Sequence, residues 1–333
     1  AGASCATRLL ANGFVDHVHI FDKARASGGR MSTRRGEGWE CDHGAQYFTT
    51  SSPEFSAAVS RWQAAGVCEK WGGAIKVHVN SSWEDLRSPT DRFVGVPKMK
   101  SPIEYMLNHP QITVNTTCLV EELRQVGDKG KWDIQCARSD TDSEWVVGES
   151  QEELFDTIIV AAPAPQSKKL VSAHSSALSN VAGSAVMNGC WAVMVRFHAR
   201  LPLPFDGAFI NEGPLSWICR NSAKPGRVHD VETWLLHATG KWSEEHIGAD
   251  SRYVGDALVY ILQVTGLHLP AHEAEWSAHR WLFATTHPNL DVGSAWDGEK
   301  NIGLCGDWLD IGKVEGAWRS GVHLADTITR DFD

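Results

Sequence analysis

The chain has 333 residues, of which 42% are hydrophobic and 22% are charged, and its formal net charge is −10. These values exclude an intrinsically disordered protein, and no apolar run approaches the roughly 18 residues that a membrane-spanning helix needs. The acidic balance argues against nonspecific nucleic-acid binding, and a chain of this length is expected to form two packed lobes.

The first two predicted elements are typical of the start of a dinucleotide-binding fold. Residues 4–12 have the small and apolar spacing of a helix that ends near Gly13, and residues 15–21 predict a strand. Asp22 follows this strand at the distance from Gly2, about 20 residues, expected between the last glycine of a dinucleotide turn and an acid that binds ribose. We therefore expect the first strand and two further glycines to precede residue 1.

A glycine turn follows Asp22. Gly28 and Gly29 would allow the backbone to approach a diphosphate, and Arg30 would neutralise its charge. Lys23, beside the ribose acid, adds a second cation. The segment predicts the adenosine and diphosphate half of a dinucleotide site.

The remaining elements alternate between strands and helices. Predicted helices cover 53–65, 253–267 and 314–329. Predicted strands cover 71–79, 93–96, 112–120, 132–137, 144–147, 155–162, 190–197, 208–210, 215–219, 233–238, 276–282 and 301–305. Residues 140–153 are polar and acidic enough to form an exposed loop.

This order predicts an α/β chain with two domains. One is expected to be a Rossmann-like domain for a flavin adenine dinucleotide (FAD), with its first strand before residue 1. The other is an inserted α+β substrate domain built on an antiparallel sheet. The predicted FAD domain covers 1–70, 110–185 and 286–333, and the substrate domain covers 71–109 and 186–285.

Small residues surround one carboxylate near the end of the chain. Gly306 and Asp307 follow the last predicted strand and suit ribityl and pyrophosphate contacts. A helix that starts near Val314, Glu315 and Gly316 would direct backbone N–H groups toward the anionic edge of a flavin ring.

The cysteines and histidines do not indicate a metal site. Eight cysteines are scattered along the chain without a metal-ligand spacing, and they predict reduced thiols in a cytoplasmic protein. His17 and His19 alternate on one strand but lack a clear third ligand. We expect no bound metal.

Several sequence blocks occur together in one order. They are GGRMSTRR at 28–35, DHGAQYFT at 42–49, APAPQ at 162–166, RNSAKPGR at 220–227, WLLHAT at 234–239, HRW at 279–281 and the segment 305–321. Over nearly its whole length the chain resembles bacterial-type renalases, flavoprotein oxidases of the amine-oxidase-like superfamily.

The resemblance implies FAD as the cofactor and a defined set of residues around it. The implied cofactor-binding residues are Gly2, Asp22, Lys23, Gly29, Arg30, Gln46, Tyr47, Phe48, Val120, Gly306, Asp307, Val314, Glu315 and Gly316.

The resemblance also implies an activity. The enzyme would take hydride from the 2- and 6-dihydro isomers of NAD(P)H and pass electrons to O2, giving NAD(P)+ and hydrogen peroxide in metabolite repair. Asn221, His237, His279 and Trp281 would contact the substrate. The substrate becomes aromatic when it loses hydride, so positioning does most of the catalytic work. A monomer or homodimer is expected, without nucleic-acid or membrane partners.

Two alternatives stay open. The first is an amine oxidase on the same fold, against which the cations between Arg220 and Arg227 would repel a cationic amine. The second is an inactive truncated homologue that binds no flavin and serves as a non-enzymatic protein.

Overall fold

A computed structural model describes residues 1–88, 90–127, 130–141, 144–147, 153–227, 230–264 and 274–332, with only the backbone described at 138–141 and 144–147. The chain divides into two compact units. Unit 1 comprises Ala1–Gly29, Ile103–Met187 and Thr286–Asp333, and unit 2 comprises Arg30–Pro102 and Asn188–Thr285.

The helices and strands follow one another in short segments along the chain. The helices are α1 (Gly2–Ala11), α2 (Pro53–Ala64), α3 (Ser101–Leu107), α4 (Ala164–Val171), α5 (Ser176–Ser184), α6 (Gly240–Glu245), α7 (Ser251–Val264) and α8 (Lys313–Phe332). The strands are β1 (Val18–Phe21), β2 (Thr33–Gly36), β3 (Trp39–Asp42), β4 (Cys68–Lys70), β5 (Ile75–Val79), β6 (Ser82–Asp85), β7 (Phe93–Gly95), β8 (Ile112–Asn115), β9 (Cys118–Val126), β10 (Lys131–Thr141), β11 (Glu144–Val147), β12 (Ile158–Val160), β13 (Met187–Phe197), β14 (Gly207–Ile210), β15 (Leu215–Arg220), β16 (Glu232–Ala238), β17 (Glu275–Thr286), β18 (Ala295–Asp297) and β19 (Ile302–Leu304).

Unit 1 contains the parallel strand pairs of a dinucleotide-binding fold. β1 pairs with β8, and β12 pairs with β19, both in parallel. β18 adds an antiparallel edge to β19, while β9, β10 and β11 form a separate antiparallel sheet. Parallel strands that are buried by helices consist of short runs of apolar residues. Such runs at 155–162 and 301–305 therefore predicted strands correctly.

Helices α1 and α8 pack closely in unit 1. Cys5 and Leu9 of α1 share a buried cluster with Leu324 and Ile328 of α8. Ser4 Oγ donates to the carbonyl of Trp318 at 2.9 Å, and a side chain at Gly321 would collide with the backbone of α1. Small residues therefore set the short distance between these helices.

Unit 2 is organised by a seven-stranded sheet with the order β17-β13-β16-β15-β14-β5-β6. Its described pairings are antiparallel except for β14 with β5. One face carries Val193, Ile218 and Leu236, which are fully buried with Leu258 of α7. This face is the main hydrophobic core of the unit.

The opposite face of the sheet carries polar and aromatic side chains. Phe209, Trp217 and His237 are register partners on β14, β15 and β16, so they lie in one row. The hairpin β2–β3 covers part of the same face, where Cys41 packs against Met194 and Leu235 of the sheet. The candidate residues His237 and Trp281 lie on this second face.

The predicted fold class is confirmed, and most predicted elements are present with boundaries shifted by a few residues. The single strand predicted at 112–120 is two strands, β8 and β9, separated at Thr116 and Thr117, where Thr117 has a positive φ of 51°. The exposed loop predicted at 140–153 starts too early, because β10 continues to Thr141 by pairing with the next strand. The strand predicted at 144–147 is present as β11, and Glu153 lies in an exposed bend. The last predicted residues of helix 253–267 lie outside the described residues.

The compact units do not follow the predicted domain limits everywhere. Boundaries near residues 186 and 286 coincide within about two residues of the predicted ones, whereas residues 30–70, predicted in the FAD domain, pack within unit 2. Packing alone does not say which residues hold a cofactor, so the functional domain assignment stays a prediction. No helix in the described part of the chain is long and apolar enough to cross a membrane.

Candidate functional site

Asp22 stands at the carboxyl end of β1 in unit 1. Its Oδ1 accepts the N–H of Ala24 at 2.9 Å, and its backbone bonds to Asn115 and Cys118 on the neighbouring strands. Burial raises the pKa of its carboxyl group, which is half-buried. A carboxylate held at the end of a parallel strand has the position expected of a ribose acceptor.

The glycines predicted around a diphosphate adopt backbone conformations that favour glycine. Gly28 and Gly29 have φ values of 137° and 51°. Gly2 lies in the first turn of α1, where an added Cβ would come within 3.2 Å of the Ala161 Cβ, beside the end of β12. Lys23 is exposed next to Asp22. These positions are compatible with close approach of a phosphate to the backbone.

The C-terminal segment of unit 1 forms a tight turn before α8. Gly306 donates its N–H to Ser320 Oγ at 2.9 Å, and the buried Asp307 starts a 3-10 turn whose first carbonyl accepts the N–H of Gly312. In the first turn of α8, the Glu315 side chain is buried and Val314 is half-buried. The N–H of Gly316 donates to the Gly312 carbonyl at 3.1 Å, so this group is used within the helix.

Val120 is the remaining predicted cofactor residue of unit 1. It lies on β9, is half-buried, and packs against the cluster that contains Cys118 and Ile158. Its predicted contact with the adenine side stays a prediction.

The centre of unit 2 is a buried ionic network around Asp42, which we call the Asp42 network. Its members are Thr33, Asp42, Gln46, Lys224 and Arg227. Asp42 Oδ2 accepts from Lys224 Nζ at 3.0 Å and from Arg227 Nη2 at 2.7 Å, and Oδ1 accepts from Thr33 Oγ1 at 2.7 Å. Both charged partners and the carboxylate are fully buried.

The pKa of Asp42 reflects the charges that surround it in this network. Burial alone would raise the pKa of the carboxyl group, but Lys224 and Arg227 outweigh it and lower the pKa to about 2. The ionised form is therefore the stable one, and the network of one carboxylate and two cations carries a single net positive charge.

The cations between Arg220 and Arg227, which were expected from the sequence to repel a cationic amine, are paired inside unit 2. Arg220 donates to Glu232 and to Asp206, each at 2.9 Å, and lies over the Trp234 ring at 5.0 Å. Together with the pairing of Lys224 and Arg227, this assigns all three cations to internal salt bridges. Because Asp42, Asp206 and Glu232 balance the three positive charges, these cations are not free to repel an amine.

Asn221 and Gln46 hold the backbone beside the network. Asn221 accepts the N–H of Asp42 and donates to the Glu40 carbonyl, both at 3.1 Å, and it is 1% exposed. Gln46 accepts from Lys224 Nζ at 3.2 Å and donates to the carbonyls of Asp42 and Gly44. Their predicted contacts with substrate and cofactor stay predictions, because each amide already serves a structural role.

Arg30 and Phe48 also have partners within unit 2. Arg30 Nη1 donates to the Ala284 carbonyl at 2.9 Å. Phe48 pairs its backbone with Phe93 in both directions at 2.8 Å, and its ring is stacked on the Phe93 ring. These contacts hold the segment that follows β3.

The predicted residues His237, His279 and Trp281 come together on the second face of the sheet, with His43 as a fourth member. We call these four residues the imidazole cluster. The His43 ring lies 4.7 Å from the His279 ring and 4.9 Å from the Trp281 ring. The His43 carbonyl accepts from Trp281 Nε1 at 2.9 Å and lies 3.2 Å from His237 Nε2.

All three imidazoles are held in the neutral form. Burial, reinforced by His279 and Arg34, lowers the pKa of His43 to about 3. Burial lowers the pKa of His237 to about 4, and burial together with Arg34 lowers the pKa of His279 to about 4. The cluster therefore offers polar ring atoms and flat faces without carrying charge near neutral pH.

One ring atom of the cluster has no partner. His43 is 5% exposed, and its Nδ1 has no hydrogen bond to any described residue. A buried polar atom without a partner costs stability unless a ligand or water satisfies it. This atom makes the imidazole cluster one candidate place in unit 2 for a small molecule to bind.

Sequence reasoning did not assign roles to His43 and Asp42, although both lie in the DHGAQYFT block. Their position at the end of a short hairpin is the sequence feature that could have drawn attention to them. No local sequence pattern shows that Asp42 is buried with two cations that are 182 and 185 residues away in sequence. Within the described ranges, no group of three or more histidine, cysteine and acidic side chains is arranged to hold a metal ion.

Comparisons with known proteins support the fold. Residues 1–62 match the family model for an NAD(P)-binding Rossmann-like domain. A protein from Exiguobacterium sp. 255-15 assigned as a protoporphyrinogen oxidase is similar over 99% of this chain and 96% of its own, with a TM-score of 0.72 and 10% identity.

Two amine oxidases have similar folds. Putrescine oxidase with bound putrescine aligns over 98% of this chain and 96% of its own, with a TM-score of 0.67 and 11% identity. Cyclohexylamine oxidase from Brevibacterium oxydans aligns over 99% and 96%, with a TM-score of 0.66 and 10% identity. The chain therefore has the fold of these oxidases.

Proposed function

We propose that the chain is an FAD-dependent oxidoreductase that takes hydride from the 2- and 6-dihydro isomers of NAD(P)H, with O2 as the final acceptor and hydrogen peroxide as a product. The observation that carries the proposal is the uncharged imidazole cluster, which surrounds the Trp281 indole with neutral rings. The resemblance to renalases supplies the substrate class.

Unit 1 has the features needed to hold the adenosine and diphosphate part of FAD. Asp22 would accept hydrogen bonds from the ribose hydroxyls, and the close packing at Gly2 keeps the start of α1 near the end of β12. Lys23 and the glycines at 28 and 29 would lie near the diphosphate. Bound FAD would supply a two-electron acceptor for hydride.

The imidazole cluster would bind the flat ring of the substrate. Loss of hydride turns a dihydropyridine into a positively charged aromatic ring, and a protonated imidazole beside that ring would oppose the reaction. Neutral imidazoles add no charge to that of Arg34, which lies 3.4 Å from His279 Nδ1, while the indole face of Trp281 attracts the developing cation. The partnerless His43 Nδ1 would take part in orienting the substrate.

An amine oxidase is the second candidate function. Oxidation of an amine also produces a cation, which neutral rings would favour in the same way. The internal pairing of Arg220, Lys224 and Arg227 leaves these cations unable to repel an amine substrate. The experiment must therefore compare both substrate classes directly.

Cofactor binding is tested first by the visible absorbance of the purified chain after incubation with FAD. Asp22→Ala should weaken FAD binding by roughly tenfold, since hydrogen bonds to a charged acceptor are lost. Asp16→Ala, which removes an exposed carboxylate just before β1, is the matched control and should bind FAD normally. A chain that stays colourless would reject the proposal and favour the inactive alternative.

The substrate is tested by anaerobic addition of 6-dihydro-NAD, putrescine or cyclohexylamine to the FAD-bound protein. Bleaching of the flavin band by the dihydro compound alone, with peroxide formed when air is admitted, is the expected result. Bleaching by an amine alone would identify an amine oxidase instead. His279→Ala should slow the bleaching without changing the absorbance of the bound flavin.

The proposed enzyme works in the cytoplasm as a monomer or homodimer. All eight cysteines are free thiols.

A further inference from the structure

A second group of rings in unit 2 lies outside the imidazole cluster, and it includes Tyr47, whose contact with the cofactor stays a prediction. We call it the Tyr47 cluster, and it comprises Tyr47, Trp71, Arg92, Phe209 and Trp217. The Tyr47 ring lies 6.2 Å from the Trp71 ring and 5.6 Å from the Trp217 ring, and the Arg92 guanidinium lies over it at 5.3 Å. Phe209 contacts Trp217 with a centroid distance of 4.6 Å.

Three hydrogen-bond donors of this cluster have no partner. Trp71 and Trp217 are only 4% and 6% exposed, and neither indole Nε1 donates to a described residue. The Nε of Arg92 is also buried without a partner. Buried N–H groups normally find acceptors, so two indole donors and one guanidinium donor around one ring require an explanation.

The charge of Arg92 is also uncompensated. Its Nη1 donates to the Thr90 carbonyl at 3.4 Å, but no described carboxylate pairs with it. The Arg220 guanidinium, in contrast, contacts both Asp206 and Glu232. The Tyr47 cluster thus has a cation that remains available to an anion.

The Tyr47 cluster adjoins the imidazole cluster along the sheet. Trp217 is the register partner of Phe209 on one side and of His237 on the other. Register partners project from the same face of a sheet. Trp217 of the Tyr47 cluster therefore lies beside His237 of the imidazole cluster. A molecule bound at the Tyr47 cluster would be a neighbour of the proposed reaction surface.

We propose that the Tyr47 cluster binds a flat aromatic carboxylate, whose oxygens accept from Trp71 Nε1, Trp217 Nε1 and Arg92 while its ring contacts the aromatic side chains. This binding site goes beyond the proposed function and does not require FAD.

The donor pattern determines which ligands are accepted. An ammonium group only donates hydrogen bonds, so it satisfies none of the three donors and is repelled by Arg92. A carboxylate accepts several hydrogen bonds and is attracted by the guanidinium. The site therefore discriminates between an acid and an amine that share the same ring.

Benzoate and benzylamine are the probes, because they differ mainly in the group attached to one ring. Isothermal titration calorimetry of the full chain, with and without FAD, should detect benzoate binding and no benzylamine binding. Trp217→Phe and Trp71→Phe each keep an aromatic ring but remove one donor, and each should weaken benzoate binding roughly tenfold.

Trp83→Phe is the control, since it makes the same change in the indole that stacks on Phe205 in the same unit. It should leave benzoate affinity unchanged. Removing a partnerless donor should not lower the stability of the free protein through a lost hydrogen bond, so thermal unfolding separates a binding effect from misfolding.

The proposal is overturned if benzoate does not bind, if benzylamine binds equally well, or if folded Trp217→Phe and Trp71→Phe variants both retain full affinity. Failure of FAD binding with intact benzoate binding would reject only the proposed function.

Discussion

Two polar regions of unit 2 lie on neighbouring segments of the chain yet differ in how their groups are satisfied. In the Asp42 network, the carboxylate has partners on both oxygens, and each cation has several acceptors. In the imidazole cluster, the rings are uncharged and His43 Nδ1 has no partner. Asp42 and His43 are adjacent residues, so the two environments lie next to each other along the chain.

The difference shows that charge alone is a poor guide to a binding site in this fold. The charged side chains of the Asp42 network pair with one another, and these buried ion pairs support the folded structure. The uncharged ring atoms that lack partners are the ones that gain from a ligand. Variants in the two regions should therefore affect different properties.

Asp42→Asn should produce the largest loss of stability. It leaves Lys224 and Arg227 fully buried without their carboxylate, and breaking a buried pair in this way costs about 3–5 kcal/mol. Urea unfolding measures the change. Asp85→Asn, which removes an exposed partner of Lys76, is the control and should have no measurable effect. Equal stability of the two variants would contradict a structural role for the network.

Mild acid should destabilise the protein through the imidazole cluster. The folded-state pKa values of His43 and His237, about 3 and 4, lie below the ordinary value of 6.5. The unfolded chain therefore binds more protons between about pH 4 and 6.5, so the unfolding free energy falls as pH decreases through this range. Above pH 6.5 this contribution is fully present.

His43→Gln should reduce that pH dependence. Removal of one such histidine lowers the slope of unfolding free energy by about 1.4 kcal/mol per pH unit within this range. Urea unfolding at several pH values gives the slope, and His198→Gln, at an exposed position, should leave it unchanged. A slope unaffected by His43→Gln would mean that this imidazole is not held neutral.

Asn221→Ala should have an intermediate effect on stability. It leaves the buried N–H of Asp42 and the carbonyl of Glu40 without partners, at a cost of about 1–3 kcal/mol. Asn211→Ala, at an exposed position in the same unit, is the comparison in urea unfolding. If Asn221→Ala instead slows flavin reduction with full stability, the residue acts on substrate as the sequence predicted.

Trp281→Phe should have the smallest effect. It removes the donor to the His43 carbonyl but leaves His237 Nε2 near that oxygen, so about 1 kcal/mol or less is expected from urea unfolding. A loss as large as that of Asp42→Asn would show that the imidazole cluster is itself a structural centre.

The sequence alone determined the fold class and most of the elements, because strand and helix periodicity and the glycine turn after β1 are local signals. It also indicated Asp22 at a strand end, since the acid follows its strand directly. His237, His279 and Trp281 lie near one another, while their contact with substrate, like that of Asn221, stays a prediction.

Only the tertiary structure decided which polar residues are paired. The cations from Arg220 to Arg227 looked available in the sequence, but their partners Asp42, Asp206 and Glu232 are brought to them by the sheet and the hairpin. Likewise, the missing partners of His43, Trp71 and Trp217 depend on burial. Burial and pairing are properties of contacts between distant segments, and no local pattern of residues encodes them.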